Sequence, residues 1–239
     1  MNQLLKKIYA TKFTADREGN LVNPFPTSIP FETGVILYDF IRNEGLKKTI
    51  EIGMAYGLST LFMCQAHKDK GEGSHTAIDP KQSSEWRSIG LLNLEKASLR
   101  EILQFYQAPS FEVLPQLLIR GESFDLAFID GKHLFDYTLV DFFYIDLMLK
   151  TGGFVVFDDL RMPAKEKLVS YVAANRSYMF VDPVPNASPS KLKQAARVVR
   201  HMLRDPLLRG IPLRVIKRKV CILKKLAADN RQWNFHRPF

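Results

Sequence analysis

The chain has 239 residues, 46% of them hydrophobic and 25% charged, a globular composition suited to one large domain with additions and a sizeable core. Its two cysteines, Cys64 and Cys221, lie inside apolar runs and outside any CxxC or Cys/His ligand spacing, which points to reduced thiols in a cytoplasmic setting without a zinc site. The net charge of +9 is local: residues 191–219 hold ten Lys or Arg against one acid, Asp205, so the main body offers no electrostatic argument for nucleic acid.

The first stretch, MNQLLKKIYATKF, places only two leucines before Lys6 and Lys7, too few for a signal-peptide apolar region. No run approaches the roughly 18 to 20 apolar residues of a membrane span, so the expectation is a soluble protein. Residues 1–33 read as a cover segment; NPFPTSIPFE carries three prolines and favours a fixed extended or turning path. Residues 34–239 read as a single domain, with a basic helical insertion at about 185–215.

From about residue 46 to 160, short apolar runs alternate with helix-period stretches, the pattern of strand-helix units around a parallel sheet. Strands are expected at 47–53, 75–79, 110–114, 124–130 and 153–159, each mostly continuous in apolarity as strands covered on both faces should be. Helices are expected at 58–67, within 84–106, and at 136–149, where Tyr137, Val140, Tyr144, Leu147 and Met148 share a stripe that stops at Thr151-Gly152-Gly153. Pro163 opens a further helix to about Asn175, and 178–184 and 220–226 are candidate last strands. Residues 191–204 read as a helix with Leu192, Val199 and Leu203 on one face and Lys193, Arg197, Arg200 and Arg204 on the other.

After the first strand comes EIGMAYGLS, residues 51–59: an acid on the strand, Gly53 and Gly57, then Ser59 at a helix start. A glycine turn in this place brings backbone close to a ligand at a helix N-terminus. The dinucleotide fingerprint needs G-x-G-x-x-G, whereas Ala55 occupies the position of the middle glycine here, so a ligand without a pyrophosphate fits better. Asp79, 28 residues after Glu51 at the end of the second strand, is placed to accept from two ribose hydroxyls.

These residues resemble the first motifs of the class I S-adenosylmethionine-dependent methyltransferases, and E-x-G-x-x-x-G-x-S is similar to their small metal-dependent O-methyltransferase branch, the catechol and caffeoyl-CoA type. The resemblance covers about residues 30–160 and implies a Rossmann-like α/β fold: a mostly parallel sheet, an antiparallel strand near the C-terminus, and helices on both faces. It further implies that Gly53 and Gly57 approach the methionyl part of the cofactor, that Ser59 meets its carboxylate, and that Glu51 faces its ammonium end. Asp79 would take the ribose, and Pro115 and Gln116 would lie beside the adenine.

The fourth and fifth strands end in FIDGKH and VVFDD, which gathers Asp130, Asp158 and Asp159 at the ligand-binding edge of the sheet. Three such carboxylates repel, so their proton affinities rise or a cation joins them, and hard oxygens favour Mg²⁺ or Ca²⁺. Successive strand residues point to opposite faces, so Asp158 and Asp159 can both ligate only if the strand ends between them. In the resembling branch an aspartate after the fourth strand and an Asp-Asn pair after the fifth bind such an ion, and a lysine follows the first aspartate by three residues. Here the pair is Asp158-Asp159 and that position holds His133, beside Lys132; histidine titrates near neutrality and can act as a general base.

The leading expectation is therefore methyl transfer to a small hydroxylated acceptor, with Asp130, Lys132 and His133 at the chemistry and Mg²⁺ or another divalent ion on the aspartates. A variant methylates nitrogen. A different class, a non-catalytic Rossmann-like protein using helix 191–204 on an anionic membrane or an acidic partner, stays open, and an NAD-dependent oxidoreductase is disfavoured by Ala55. The aromatic tail RQWNFHRPF is expected either to pack on the domain or to reach a partner chain, a homodimer being open.

Overall fold

The computed structural model describes residues 2–181 and 220–239. The helix expected at 191–204 and the insertion around it lie outside the described residues, and with them the proposed membrane or acidic-partner surface.

Helix α1 (Gln3–Thr11) starts on Asn2, whose side-chain oxygen accepts from the Leu4 amide, and buries Leu5 and Ile8. A two-stranded hairpin, β1 (Thr14–Ala15) and β2 (Leu21–Val22), leads to α2 (Phe31–Asn43). The α/β body follows as β3 (Lys48–Ile52), α3 (Leu58–Lys70), β4 (Ser74–Ile78), α4 (Ile89–Lys96), β5 (Leu103–Tyr106), α5 (Ser110–Ile119), β6 (Phe124–Ile129), α6 (Phe135–Met148), β7 (Leu149–Phe157) and α7 (Pro163–Asn175). Strands β8 (Tyr178–Val181) and β9 (Cys221–Lys225) complete it.

The seven-stranded sheet has the order β5-β4-β3-β6-β7-β9-β8, with β9 antiparallel to both neighbours and the pairs from β5 to β7 all parallel. One apolar cluster, with Phe62, Leu61 and Phe128, fills the face under α1 to α4; the other, with Phe142, Phe157 and Leu168, fills the face under α5 to α7. Two covered faces explain why β3, β4, β6 and β7 read as continuous apolar runs. The chain leaves β3 toward β4 on one side and returns to β6 on the other, so a crevice opens at the carboxyl ends of β3 and β6.

The sheet, its reversed strand and the helices on both faces are as expected, while three local expectations fail. Residues 110–114, expected as a strand, form the first turns of α5, because Val113, Leu114 and Leu117 recur at helical spacing and are buried together. The third strand of the body is instead β5, LQFY, at the sheet edge. On α6 the buried face carries Thr138, Asp141, Phe142, Ile145, Asp146 and Met148, while Val140 and Leu147 of the expected stripe are exposed. Two aspartates on the inner face displaced the apolar pattern: Asp146 is buried because Arg176, Tyr178 and Lys225 surround it. Helix α6 also runs straight into β7 with no intervening turn at 151–153.

The aromatic tail packs on α7. Asn175 bonds the backbone of Arg237 in both directions at 2.9 Å, and Phe239 meets the Tyr171 ring edge-on at 5.0 Å, while Trp233 is exposed. Among the described residues no helix is long and apolar enough to cross a membrane.

Candidate active site

The glycine turn after β3 is shaped by backbone packing first. Gly53 has φ +91°, and a Cβ there would come within 2.5 Å of the Asp130 carbonyl oxygen. Gly57, the N-cap of α3, has φ +76° and would bring a Cβ within 2.9 Å of the Gly90 carbonyl. Both positions thus demand glycine with no ligand present.

The turn is tied to Asp79. Its Oδ2 accepts from the amides of Met54 at 3.0 Å and Ala55 at 2.7 Å, and its Oδ1 accepts from Lys81 at 2.8 Å. With two acceptor positions on each oxygen, Oδ1 keeps one for an outside donor. Asp79 can therefore receive one hydroxyl directly while it holds the loop.

A cavity of about 500 Å³ lies over the carboxyl ends of the strands. Gly53, Met54, Ala55, Leu58 and Ser59 form one wall, Asp79 and Trp86 another, and Asp130, Lys132, His133, Tyr137 and Asp159 the far end, with Thr27 to Ile29 and Pro109 to Phe111 closing the sides. Its size suits a nucleoside-sized cofactor plus a small acceptor.

Several expected residues behave differently. Glu51 is fully buried and does not line the cavity: its carboxylate accepts from the hydroxyls of Ser59, at 2.7 Å, and Thr60, and lies 3.3 Å from His75 Nε2. Held by Ser59 and Thr60, it braces the start of α3 from outside the cavity lining. Ser59 lines the cavity, but its hydroxyl is turned toward Glu51, so the first-turn amides of α3 are what it leaves for an anion. Gly57 packs on α4 outside the lining. Gln116 is exposed on α5 and away from the cavity, because the chain is already helical at 110; Pro109, Ser110 and Phe111 occupy the wall expected of Pro115 and Gln116.

At the far end, β6 stops at Ile129 and Asp130 follows, its amide bonded to Ile52 O at 2.9 Å. β7 stops at Phe157, and Asp159 adopts φ +53°. The strand does end before the aspartate pair, yet the left-handed turn sends the two apart: Asp159 lines the cavity, and Asp158 is buried outside the lining. Ligand atoms of Asp130, His133 and Asp159 all lie within 4.8 Å of one another, so His133 takes the place expected of Asp158 in the cradle. Lys132 also lines the cavity, but its ammonium lies 4.1 Å from the centroid of the Tyr137 ring rather than at the carboxylates.

The electrostatics follow from burial. Asp130 is pushed well above the ordinary carboxyl range by desolvation and by the charge of Asp158, with Lys165 opposing. His133 is lowered by burial and by Lys165, so its imidazole is neutral at pH 7. Oδ1 of Asp130 and Nδ1 of His133 are buried without a hydrogen-bond partner, an arrangement that fits a bound cation or acceptor. Two carboxylate oxygens and an imidazole nitrogen suit Mg²⁺ or, better, Mn²⁺.

Lys165 and Asp141 escape detection in the sequence. Lys165 on α7 is fully buried, with Nζ donating to Ile129 O at 2.7 Å. Asp141 on α6 is bonded by the Ser110 side chain, and burial pushes its carboxyl up to about 6. A folded-state value above the ordinary 3.8 means that this group adds stability that is complete below about pH 4 and lost by about pH 6 as it ionises. Asp141→Asn is expected to flatten the fall in melting temperature across that window; an unchanged slope would show that Asp141 does not titrate there.

The sheet order with its reversed β9, and a crevice holding an acid-tied glycine loop, define the class I S-adenosylmethionine-dependent methyltransferase fold. Residues 50–160 match the family model described as a methyltransferase domain. The chain is 31% identical over 160 residues to a protein of Arabidopsis thaliana named with the caffeoyl-CoA O-methyltransferases, covering 66% of this chain and 63% of that one. It is 27% identical over 139 residues to the caffeoyl-CoA O-methyltransferase of Populus kitakamiensis, covering 55% and 54%. The chain thus spans less than two thirds of the length of these relatives. Among solved structures, the O-methyltransferase from Bacillus cereus in complex with S-adenosylhomocysteine has the same fold, with a TM-score of 0.60 at 16% identity over 76% of this chain and 83% of that one.

Proposed function

We propose that this chain is an O-methyltransferase that uses S-adenosylmethionine and a divalent cation to methylate a small hydroxylated acceptor. The observation that carries this is the meeting, in one cavity, of the Asp79-tied loop of β3 with the cradle of Asp130, His133 and Asp159. The similarity to proteins named as caffeoyl-CoA O-methyltransferases supports the same reading.

Asp79 Oδ1 would receive a ribose hydroxyl, the first-turn amides of α3 would receive the methionyl carboxylate, and Trp86 with Pro109 and Ser110 would flank the base. Asp130 and Asp159 would hold the cation. Bound there, S-adenosylmethionine would supply the methyl group and leave as S-adenosylhomocysteine, and a cation would lower the pKa of the acceptor hydroxyl. His133, neutral at pH 7, takes the acceptor's proton; Phe111 and Tyr137, 6.3 Å apart at the side of the cavity, guide a flat acceptor. Holding donor and acceptor in line supplies much of the acceleration, so the rigidity of this end is itself catalytic.

Turnover with labelled S-adenosylmethionine and a panel of hydroxylated acceptors, in Mg²⁺, Mn²⁺ or EDTA, tests the reading. Transfer that needs a divalent cation is expected; S-adenosylhomocysteine failing to bind the folded protein would overturn it. His133→Gln is expected to lower turnover about 10² to 10⁴-fold and to remove the acid limb of the rate profile below pH 6.5. A profile that keeps that limb would assign the proton to another group.

A further inference from the structure

Lys165 is the most deeply buried lysine or arginine among the described residues, at 0% exposure. It enters from the first turn of α7 and its Nζ is anchored to the carbonyl of Ile129, the residue before Asp130. There it lies within the field of four carboxylates, Asp130, Asp141, Asp158 and Asp159, which follow β6, sit on α6 and follow β7. A buried ammonium in a carboxylate cluster is costly unless charge balance repays it. Burial lowers its proton affinity, and the four carboxylates offset that only in part.

We propose that Lys165 is a resident counter-ion for the cradle: its ammonium offsets one carboxylate of the floor, so that Asp130 and Asp159, with His133 beside them, take a divalent cation weakly and exchange it readily. The inference rests on the cation site proposed above. Lys165 touches neither ligand nor acceptor; it positions charge. Without it the floor would hold an uncompensated carboxylate excess, and an added cation would be bound as structural mortar. With it the cradle keeps its shape when empty.

The test is Mn²⁺ titration of the full chain, followed by calorimetry and by the spin-resonance signal of unbound Mn²⁺, on the wild type, Lys165→Met, Asp158→Asn and the double variant. Lys165→Met is expected to bind Mn²⁺ about tenfold or more tightly than the wild type, because one positive charge has left the neighbourhood of the site. Asp158→Asn is expected to bind more weakly, and the double variant to return to within about threefold of the wild type, since one charge of each sign has gone. In EDTA, Lys165→Met should melt below the wild type, with Mn²⁺ closing the gap. Mn²⁺ affinity that is unchanged or lower in folded Lys165→Met would overturn the proposal, since a merely space-filling lysine predicts that result.

Should the wild type bind no Mn²⁺, the cation reading falls, and the counter-ion is judged on the metal-free melts. A melting point lost in Lys165→Met and restored by adding Asp158→Asn supports it; no restoration overturns it. Should Lys165→Met fail to fold, recovery of the fold in the double variant supports the proposal and continued failure overturns it.

Discussion

Asp130→Asn is expected to lower methyl transfer roughly a thousandfold, about 4 kcal/mol at the transition state, while leaving the melting temperature equal to or above that of the wild type. The two effects have one cause. The Asp130 carboxylate is desolvated and repelled by Asp158, so the fold carries it at a cost that a neutral amide of the same shape avoids. The activity loss follows because the amide cannot supply the anionic ligand at the end of β6. Lys165 would still face Asp141, Asp158 and Asp159. A gain in stability against a loss of function is the pattern expected where a site is kept under strain for its chemistry. A melting temperature lowered by several degrees would show that Lys165 depends on Asp130 more than Asp158 repels it. Turnover retained within tenfold would remove Asp130 from the mechanism.

Asp79→Ala is expected to weaken S-adenosylhomocysteine binding by about 100-fold or more, which corresponds to about 3 kcal/mol. The lost ribose contact is the smaller part of this. Three backbone amides, of Met54, Ala55 and Lys81, would lose a charged acceptor, and hydrogen bonds to charged groups contribute about 1.5 to 3 kcal/mol each. The loop would loosen before any ligand arrives, so the melting temperature should fall along with the affinity. Asp79→Asn should be intermediate: its single carbonyl oxygen serves either the Met54 and Ala55 amides or that of Lys81, and the other side meets an NH₂ group. Calorimetry beside thermal melts reads both effects. Affinity retained within threefold in Asp79→Ala would show that the cofactor does not use this loop.

Much of the sheet was legible because its central strands are covered on both faces and so spell out unbroken apolar runs. β5 was not, for the opposite reason. It is an edge strand in which only Leu103 is fully buried, and Gln104 breaks its run, whereas SFEVL nearby places Phe111 and Val113 in strand-like alternation and drew the assignment. The buried face of α6 was misread because Asp141 and Asp146 lie on it, and inward carboxylates are invisible to a pattern that counts only apolar side chains. At the site, the acid-glycine-acid spacing of Glu51, Gly53 and Asp79 located the cavity, but it could not tell which residues face a ligand and which brace those that do. Glu51 and Ser59 bind each other, a pairing that exists only once α3 stands on β3. Choosing between Asp158 and Asp159 depended on one backbone torsion at Asp159. Lys165 had no signal at all: a lysine in the first turn of a helix reads as a solvated residue, and only the packing of α7 over β6 buries it.

Because the backbone of Gly53 abuts that of Asp130, and the Asp130 amide bonds the Ile52 carbonyl at 2.9 Å, donor and acceptor halves of the cavity share a single seam. Neither half can shift without opening the other. The remaining walls, Thr27 to Ile29, Pro109 to Phe111 and Tyr137, come from separate segments that do not cross this seam. If the proposed function holds, substrate range is free to drift by exchange of Thr27 to Ile29 and Tyr137 while the line of attack stays fixed, so that chains of this architecture could diverge in what they modify without relearning how.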